Sequence, residues 1–506
     1  MKKIIQAHAW WGGVVSDSSR MPYAVNGSLE LDFSTLQNHG ATSPFFINEK
    51  GNSVYSPSSH FTVDITSDGT LTLESDSLIK EVKNQSSFQE GCREASWRFF
   101  SSKGLYPPAV FFNQPQFSTW MEYQFNLTQE DVLCYAHDII AHGYKPGIFI
   151  IDEGWMSHYG SFTFDPLRFP QPKVMIEALK QLGFTPLLWV SPFVSPDSST
   201  YRAIKDTPCL LYEDEDAVAI RGWWNGYSAL LNLCSPEGEA WLKDKLDTLK
   251  RDYGIAGFKF DGGDLDLYSD DDFTPYSREA QSKKYSEICA QYSPSIVTFQ
   301  YDSGGLALAQ NIGDTLSHWG TRGGLSNLIP SAITAGLMGY WYVTSGLIDM
   351  ETSLVSCDGN VLKDEELYLR FIECCALFPL MQFNSAPWRL LSEEGAQICL
   401  NMALLHQSMA TTINDLVTES ARQGSPIIRS LYYEFEDEAF LSVTDQFMLG
   451  SSLMVAPVLE KGAVERTIVF PKGRWIGDDF TVVEGPTTCI VSAPIERLPH
   501  YRLDED

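Results

Sequence analysis

The sequence predicts an α/β protein built on a (β/α)8 TIM barrel, with an N-terminal β-sandwich-like domain and a small C-terminal antiparallel β-sandwich. The chain has 506 residues, more than one ordinary domain needs. Its middle alternates continuous apolar runs with helical patterns, whereas both ends show shorter strand-like segments. These changes of pattern predict domains at 1–115, 116–423 and 424–506.

The N-terminal part has the pattern of half-buried strands. Segments 28–33, 60–65 and 70–74 alternate apolar and polar side chains, and turns rich in Gly and Ser separate them. A period of two buries one face of a strand and leaves the other in water, so we expect a β domain here.

Eight apolar runs in the middle of the chain are the predicted barrel strands. Continuous apolar strands are buried on both faces, and their alternation with helices indicates a parallel sheet. A doubly wound open sheet is the alternative, but the GxGxxG fingerprint expected there is absent from the sequence. The runs are 147–152, 186–190, 229–233, 257–261, 296–300, 308–314, 340–343 and 380–383.

After a long helical stretch at 393–421, the pattern returns to short strands punctuated by Gly and Pro, which predicts the C-terminal sandwich. The segments are 425–429, 447–450, 452–457, 467–470 and 489–492.

The composition narrows the choice of partners. Acidic residues number 65 against 36 Lys and Arg, a formal net charge of -29, which disfavours nucleic acid and anionic membranes as partners. No stretch reaches the ~20 apolar residues of a membrane span, and the first residues lack the apolar core of a signal peptide. We therefore expect a cytoplasmic protein. Nothing in the sequence indicates its oligomeric state.

Carboxylates and tryptophans follow the predicted strands. Asp152, Asp261 and Asp314 come at strand ends, with Trp189 and Gln382 on further strands. Function in a barrel of this type lies at the carboxyl ends of the strands. Tryptophan faces stack on sugar rings and carboxylates bind hydroxyl groups, so this set of residues predicts a sugar site.

Asp261 is the strongest single candidate. Lys259 and Asp261 lie two residues apart on one strand face, and a neighbouring cation lowers the pKa of a carboxyl, as suits a nucleophile. A structural ion pair inside the barrel is the alternative. Gly262 and Gly263 leave room for substrate beside Asp261.

Asp314 is the natural partner of Asp261, although an Asp after Gly is also a common turn residue. Two carboxylates about 5–5.5 Å apart perform glycoside hydrolysis with retention, one as nucleophile and the other as acid and then base. We expect Asp261 to be ionised near neutral pH. Asp314 should be kept protonated by a drier environment or by a neighbouring negative charge.

Other catalytic motifs are missing. The sequence has neither GxSxG nor HExxH, and its ten cysteines include no CxxC pair. The acidic run 264–272 lacks the central Gly and closing Glu of an EF-hand and is typical of a solvated loop. No metal site is predicted.

Several segments together resemble glycoside hydrolase family 31, from roughly Trp120 to the C-terminus. The segment 257–264 resembles its nucleophile segment, 312–319 resembles its acid/base segment, and 445–458 with 470–475 resembles its C-terminal sandwich. Within the family, segments 221–226, 379–383 and 387–389 are most similar to the branch of the myogenesis-regulating glycosidase and bacterial α-galactosidase-like enzymes.

The resemblance implies roles for particular residues. Asp261 would be the nucleophile, Asp314 the general acid/base, and Asp152 a ligand of hydroxyl groups far from the scissile bond. It also implies that the loop at 10–13 reaches the active site, and that no cofactor is needed. The residues that would line the pocket are Trp189, Trp224, Lys259, Trp319 and Gln382.

The implied substrate is a small oligosaccharide or glycoside with a terminal α-linked sugar, galactose being the first choice. An α-glucosidase, α-xylosidase, sulfoquinovosidase or transglycosylase of the same family remains an alternative, as does a catalytically silent sugar-binding protein. Two positions depart from the family. Asp264 stands where Glu is usual, and Gly346 stands where relatives place an aspartate, unless a short insertion gives that role to Asp349.

Overall fold

A computed structural model gives the structure of the protein. It describes residues 1–36, 40–58, 60–83, 86–100, 102–298, 301–346, 348–349 and 364–504, with the backbone alone at 348–349.

The strands of the N-terminal domain form two antiparallel sheets of four strands each within the described residues, in the orders β1-β7-β6-β3 and β2-β4-β5-β8. The predicted strands 28–33, 60–65 and 70–74 are confirmed, because they coincide with β3, β6 and β7. The elements are β1 (Lys2–Gln6), β2 (Trp10–Val14), β3 (Leu29–Asp32), β4 (Thr42–Asn48), β5 (Ser53–Tyr55), β6 (Phe61–Ile65), β7 (Thr70–Ser75), β8 (Lys80–Val82) and helix α1 (Phe88–Phe99).

The middle of the chain contains a parallel sheet of barrel type and the helices around it. Its elements are α2 (Val110–Asn113), β9 (Gln116–Ser118), α3 (Trp120–Tyr123), α4 (Gln129–Ala141), β10 (Ile148–Ile151), α5 (Pro172–Gln181), β11 (Thr185–Val190), β12 (Phe193–Val194), α6 (Ser199–Ile204), β13 (Ile220–Trp223), β14 (Gly226–Leu230), α7 (Pro236–Tyr253), β15 (Gly257–Phe260), α8 (Arg278–Cys289), β16 (Ser295–Thr298), β17 (Ala309–Asn311), β18 (Thr315–Leu316), α9 (Leu328–Leu337), β19 (Val343–Thr344), β20 (Ile348–Asp349), α10 (Glu365–Ala376), β21 (Gln382–Phe383), α11 (Pro387–Leu390), α12 (Glu393–Ser408) and α13 (Ala410–Gln423).

Eight strands of the described chain pair in the order β19-β17-β16-β15-β11-β10-β9-β21, and every pairing is parallel. The backbone N–H of Leu380, just before β21, donates to the carbonyl of Val343 in β19 at 3.2 Å, which joins the two edges of the sheet. The predicted (β/α)8 barrel is therefore confirmed.

One of the eight predicted strands is wrong. The run 229–233 overlaps β14, which pairs antiparallel with β12 and β13 outside the barrel. Its apolar side chains are buried, and that burial produces the same sequence pattern as a barrel strand. The barrel strand that the sequence did not predict is β9. Its Gln116 and Ser118 flank a single apolar residue, so the segment lacks the pattern of a buried strand. The last two residues of the predicted strand 296–300 lie outside the described residues.

The C-terminal part forms one connected antiparallel sheet of six strands over the described residues, in the order β22-β23-β24-β27-β25-β26. The long β25–β26 pair shifts register between Phe470 and Gly473. The elements are β22 (Ile428–Arg429), helix α14 (Leu431–Phe435), β23 (Phe447–Leu449), β24 (Leu453–Val455), β25 (Glu465–Gly477), β26 (Val482–Ser492) and β27 (His500–Asp504).

Short 3₁₀ turns complete the described elements, at Val15–Arg20, Phe33–Thr35, Gln124–Asn126, Leu265–Leu267, Leu325–Asn327 and Glu438–Phe440. None of the helices described here has the length and apolar character that crossing a membrane requires.

Candidate active site

Three aspartates lie at the same end of the barrel. Asp152 directly follows β10, Asp261 directly follows β15, and Asp314 lies three residues after β17. Since all the barrel strands are parallel, their carboxyl ends share one face of the sheet. The structure therefore brings these three predicted site residues to one rim, with β16 alone between the strands that carry Asp261 and Asp314.

Lys259 makes its ion pair with Asp152. Its Nζ lies 3.1 Å from Asp152 Oδ1 and 2.8 Å from Oδ2, and both side chains are buried. Asp152 also accepts hydrogen bonds from the Ser118 hydroxyl at 2.6 Å and from the Glu153 backbone N–H at 2.9 Å. Asp152 is thus held rigidly at the base of the rim, and its predicted contact with sugar hydroxyls stays a prediction.

All three aspartates affect the pKa of Lys259. Burial lowers the pKa of its ammonium, but Asp152, Asp261 and Asp314 raise it by more, so that the net shift is upward. A buried cation that feels three carboxylates stays protonated and reduces the mutual repulsion of these carboxylates.

The Asp261 carboxylate is fixed by two hydrogen bonds. Trp189 Nε1 donates to Oδ2 at 3.0 Å and the Gly262 backbone N–H donates to Oδ1 at 3.0 Å. The backbone of Asp261 is held as well, because its carbonyl accepts from the Tyr285 hydroxyl at 3.0 Å. A Cβ at Gly263 (φ +90°) would overlap the Tyr285 ring, so this support needs glycine.

The expected pKa of Asp261 is wrong in direction. Burial raises the pKa of this carboxyl, and the lowering by Lys259 and by the Trp189 hydrogen bond does not offset it. The two-residue spacing favoured Lys259 as the direct partner of Asp261, whereas in the structure its ammonium pairs with Asp152. Ionisation of Asp261 is therefore favoured by fewer contacts than we expected.

Asp314 is exposed to solvent, so the drier environment expected to keep it protonated is not found. Asn311 Nδ2 lies 3.5 Å from Asp314 Oδ1, and Asn311 Oδ1 accepts from the Gly313 backbone N–H at 3.1 Å. Gly346 lies against this pair, and a Cβ at that position would overlap the carboxylate of Asp314 and the amide of Asn311. Glycine at 346 thus provides the space that Asp314 occupies. The side chain of Asp349, the alternative for this role, lies outside the described residues.

The N-terminal domain reaches Asp314. A cleft of about 50 Å³ adjoins this residue, and Val15 and Ser16, which directly follow β2, line it together with Asn327 of the barrel domain. The Ser18 hydroxyl lies 3.1 Å from Asn327 Oδ1 and holds this segment in place. The segment after the loop at 10–13 therefore lines the cleft, whereas Trp10 and Trp11 are buried.

A second cluster surrounds Glu153, which the sequence analysis did not select. Glu153 is only 2% exposed, and it accepts hydrogen bonds from the Tyr159 hydroxyl, from Trp224 Nε1 at 3.1 Å and from Asn225 Nδ2 at 3.4 Å. Burial, together with the negative charges of Asp261 and Asp152, raises its pKa to about 7, although the Tyr159 and Trp224 hydrogen bonds oppose the rise. Its position directly after Asp152 on a barrel strand was the signal that could have identified it.

The other predicted pocket residues lie around this rim in different environments. Trp189 is buried, whereas Trp224 is 52% exposed at the tip of the β13–β14 hairpin. Gln382 begins β21 and donates to Asn384 Oδ1 at 2.6 Å. Trp319 donates its indole N–H to Asp364 Oδ2 at 3.0 Å, which ties it to the start of α10. Contact of these side chains with substrate stays a prediction.

The side chains at the rim are mainly carboxylates, amides and indoles. In the described part of the chain, no three His, Cys, Asp or Glu side chains are placed to hold a metal ion together. The arrangement offers an oriented carboxylate at Asp261, an exposed carboxylate at Asp314 and a buried cation, Lys259, that is paired with Asp152.

Known proteins share this architecture. The glycosyl hydrolases family 31 TIM-barrel domain matches residues 106–399, and the family 31 C-terminal domain matches residues 424–502. A solved structure of a Flavobacterium johnsoniae GH31 dextranase complexed with glucose superimposes with a TM-score of 0.86, covering 100% of this chain and 66% of that one. With 17% sequence identity, this likeness shows the fold alone.

Curated relatives are similar over most of the chain. The myogenesis-regulating glycosidase of Mus musculus is 32% identical over 389 residues, covering 75% of this chain and 54% of the relative. The 1,3-alpha-isomaltosidase of Kribbella flavida is 25% identical over 398 residues, covering 71% and 53%. The chain thus spans about half the length of these two relatives. Because the family's barrel model alone matches more than half of the chain, the protein belongs to glycoside hydrolase family 31.

Proposed function

We propose that this protein is a retaining, exo-acting α-glycosidase that removes a terminal α-linked sugar, with α-galactosides as its first expected substrates. The observation that carries the proposal is the pair of aspartates at one rim. Asp261 is oriented by a hydrogen bond from Trp189, and Asp314 is exposed. Both carboxyl groups raise the pKa of Lys259, which indicates that both lie near its ammonium. Membership of a glycoside hydrolase family supports the reaction class.

The proposed reaction has two steps. In the first, a carboxylate oxygen of Asp261 bonds to the anomeric carbon while the glycosidic bond breaks, and Asp314 gives its proton to the departing oxygen. In the second, Asp314 takes a proton from water as the water oxygen bonds to the same carbon and releases Asp261. Two inversions at one carbon retain its configuration.

The acidic side chains at the rim favour some sugars over others as substrates. Asp152, Glu153, Asp261 and Asp314 are acidic, and the cation among them, Lys259, is already paired with Asp152. This environment favours a neutral sugar over a sulfonated one. Trp155, which a sulfonate-binding site could have used, donates its indole N–H to the Trp189 carbonyl at 2.8 Å and is fully buried.

The choice of galactose rests on the resemblance of segment 221–226 to the α-galactosidase-like branch. Other relatives include an Alpha-glucosidase 2 of Bacillus thermoamyloliquefaciens and a Sulfoquinovosidase of Escherichia coli. Substrates with a terminal glucose or sulfoquinovose must therefore be tested beside galactosides. A cytoplasmic location stays a prediction from the sequence.

The test is a panel of nitrophenyl α-glycosides that carry galactose, glucose, xylose or sulfoquinovose, with the anomer of the released sugar followed by NMR. We expect fastest release from the galactoside and the α-anomer as the first product. The β-anomer as first product would exclude retention. No release from any member, together with measurable binding of a free monosaccharide, would indicate the catalytically silent alternative.

A further inference from the structure

A cavity of about 300 Å³ lies at the end of the barrel opposite the catalytic rim. Trp341, which lines it, comes two residues before β19, whereas Gly346, beside Asp314, comes two residues after that strand. The cavity and Asp314 therefore lie at opposite ends of one barrel strand. Ligand pockets in proteins range from roughly 300 to 1,000 Å³, so this cavity has room for a small molecule that is separate from the substrate.

Aromatic side chains from two domains form part of the wall of this cavity. Trp97 in the last turn of α1 and Phe100 directly after that helix come from the N-terminal part, and Trp341 comes from the barrel. Phe100 and Trp341 are buried, whereas Trp97 is 65% exposed. Because Trp97 both lines the cavity and is exposed, the cavity is open to solvent. An exposed indole of this kind gains contact area when an apolar or aromatic ring packs on it.

Two cations also line the cavity. Lys103 and Arg422 are both exposed, and neither forms an ion pair with an acidic side chain in the described part of the chain. Among the described residues of the wall, none is acidic. In a chain with a formal net charge of -29, two cations without acidic partners form a local positive site, which favours an anion.

The serine hydroxyl groups in the wall already donate hydrogen bonds within the protein. Ser96 Oγ donates to the Gly424 carbonyl at 2.9 Å, and the Ser102 hydroxyl donates to the Ala421 carbonyl. A sugar needs a polar partner for each of several hydroxyl groups, because a hydroxyl that loses water without a new hydrogen bond weakens binding. The described wall therefore suits a mainly apolar ligand with one charged group better than a second sugar.

We infer that this cavity is a binding site for a small aromatic anion, an aryl carboxylate, sulfonate or phosphate. Trp97, Phe100 and Trp341 contact the aromatic ring, and Lys103 and Arg422 bind the anionic group. The inference goes beyond the proposed function and does not depend on it, since the cavity lies at the other end of the barrel and its test needs no hydrolysis.

Fluorine NMR with a matched pair of probes tests the inference on the full chain. The anionic probe is 4-(trifluoromethyl)benzoate, and 4-(trifluoromethyl)benzamide has nearly the same shape without the charge. Titration should show one saturable site for the benzoate. Its affinity should exceed that of the benzamide by about tenfold, the factor that two partly exposed ion pairs of ordinary strength provide together.

Substitutions in the wall locate the bound probe. Lys103→Asn/Arg422→Gln removes both charges, and asparagine suits the positive φ of 54° at position 103. This variant should bind the benzoate about tenfold more weakly and the benzamide as the wild type does. Trp97→Ala removes part of the aromatic wall and should weaken the binding of both probes. The matched control is Lys173→Gln/Lys472→Gln, which neutralises two exposed lysines on α5 and β25 and should bind both probes like the wild type.

Three results would overturn the inference: no saturable binding of the benzoate, equal affinities of the wild type for the two probes, or an unchanged benzoate affinity in Lys103→Asn/Arg422→Gln. If that variant does not fold, a salt titration of the wild type replaces it, because sodium chloride screens exposed charges. An increase from about 0.05 M to about 0.5 M salt should weaken binding of the benzoate and leave that of the benzamide unchanged. A benzoate affinity that does not respond to salt would also count against the site.

Discussion

Asp261 and Asp314 lie at the same end of one parallel sheet, yet their surroundings differ in burial and in hydrogen bonding. Asp261 accepts from an indole N–H and a backbone N–H, and its own carbonyl is held by Tyr285. Asp314 is exposed, lies 3.5 Å from Asn311 Nδ2 and occupies the space that the absence of a side chain at Gly346 leaves. The two aspartates therefore differ in burial, and the buried one is oriented by an indole N–H and a backbone N–H.

This difference suits the two proposed roles. A nucleophile must be held within a short distance of one carbon atom, and fixed hydrogen bonds provide that orientation. A general acid/base exchanges protons with both the departing group and water, so access to solvent is compatible with its role. Changes near Asp261 should consequently affect stability and pKa, whereas changes near Asp314 should affect activity with little effect on stability.

The largest expected effect is that of Asp261→Asn. We expect kcat to fall by more than about 10⁴-fold, because no covalent intermediate can form without the carboxylate. Sugar binding measured by calorimetry should survive, since the amide keeps the shape of the side chain. Turnover close to that of the wild type would remove Asp261 from the role of nucleophile.

Asp314→Asn should have a smaller and substrate-dependent effect. For a poor leaving group we expect kcat to fall by about 10²–10⁴-fold, the usual contribution of a general acid. For a dinitrophenyl glycoside, whose leaving group needs no proton, the first step should be nearly as fast as in the wild type in a pre-steady-state burst measurement. An equal loss with both substrates would contradict the assignment of Asp314 as acid.

Substitution of two glycines, one near Asp261 and one beside Asp314, compares the surroundings of the two aspartates directly. Gly263→Ala places a Cβ into the buried Tyr285 ring at a positive φ and should lower the free energy of unfolding by about 1–3 kcal/mol. Gly346→Ala displaces an exposed carboxylate, so we expect an unfolding change below about 1 kcal/mol but a fall in kcat of about tenfold. Denaturant unfolding and kcat on one glycoside measure both quantities.

The control for Gly263→Ala is Gly462→Ala, which also has a positive φ but has open space around its Cβ and therefore isolates backbone strain. Equal effects of Gly263→Ala and Gly346→Ala on both stability and kcat would contradict the proposed difference between the surroundings of Asp261 and those of Asp314.

The smallest effect expected is a shift of the pH profile. Asp261 must be ionised to react, so activity is lost as pH falls through its raised pKa. Trp189→Phe removes a hydrogen bond that favours the ionised form, and the acid limb of kcat against pH should move upward by about one pH unit. Trp475→Phe, whose indole donates to the Pro471 carbonyl in the C-terminal sheet, should leave that limb in place. A downward shift in Trp189→Phe would contradict the account.

The barrel could be predicted from the sequence because most of its strands are buried on both faces and read as continuous apolar runs. β9 could not, since it contains three residues and two of them are polar. The run 229–233 was misleading for the opposite reason, because the second half of β14 and the residues after it are buried and give the apolar pattern of a barrel strand.

The site was predictable to the extent that strand ends are recognisable. Asp152, Asp261 and Asp314 were selected in this way, and the structure brings them to one rim. The pairing of Lys259 with Asp152 was not predictable, because these residues are 107 positions apart and the local spacing favoured Asp261. The cluster around Glu153 was missed for the same reason, since its donors come from the β13–β14 hairpin and from Tyr159.

Capture of the covalent intermediate tests the central claim most directly. The protein would be incubated with 5-fluoro-α-galactosyl fluoride, which forms a glycosyl–enzyme bond that hydrolyses slowly, and then digested and analysed by mass spectrometry. We predict one added fluorosugar per chain, attached through an ester to Asp261. A label on another carboxylate, or rapid turnover of the reagent to a product of inverted configuration, would contradict the proposed mechanism.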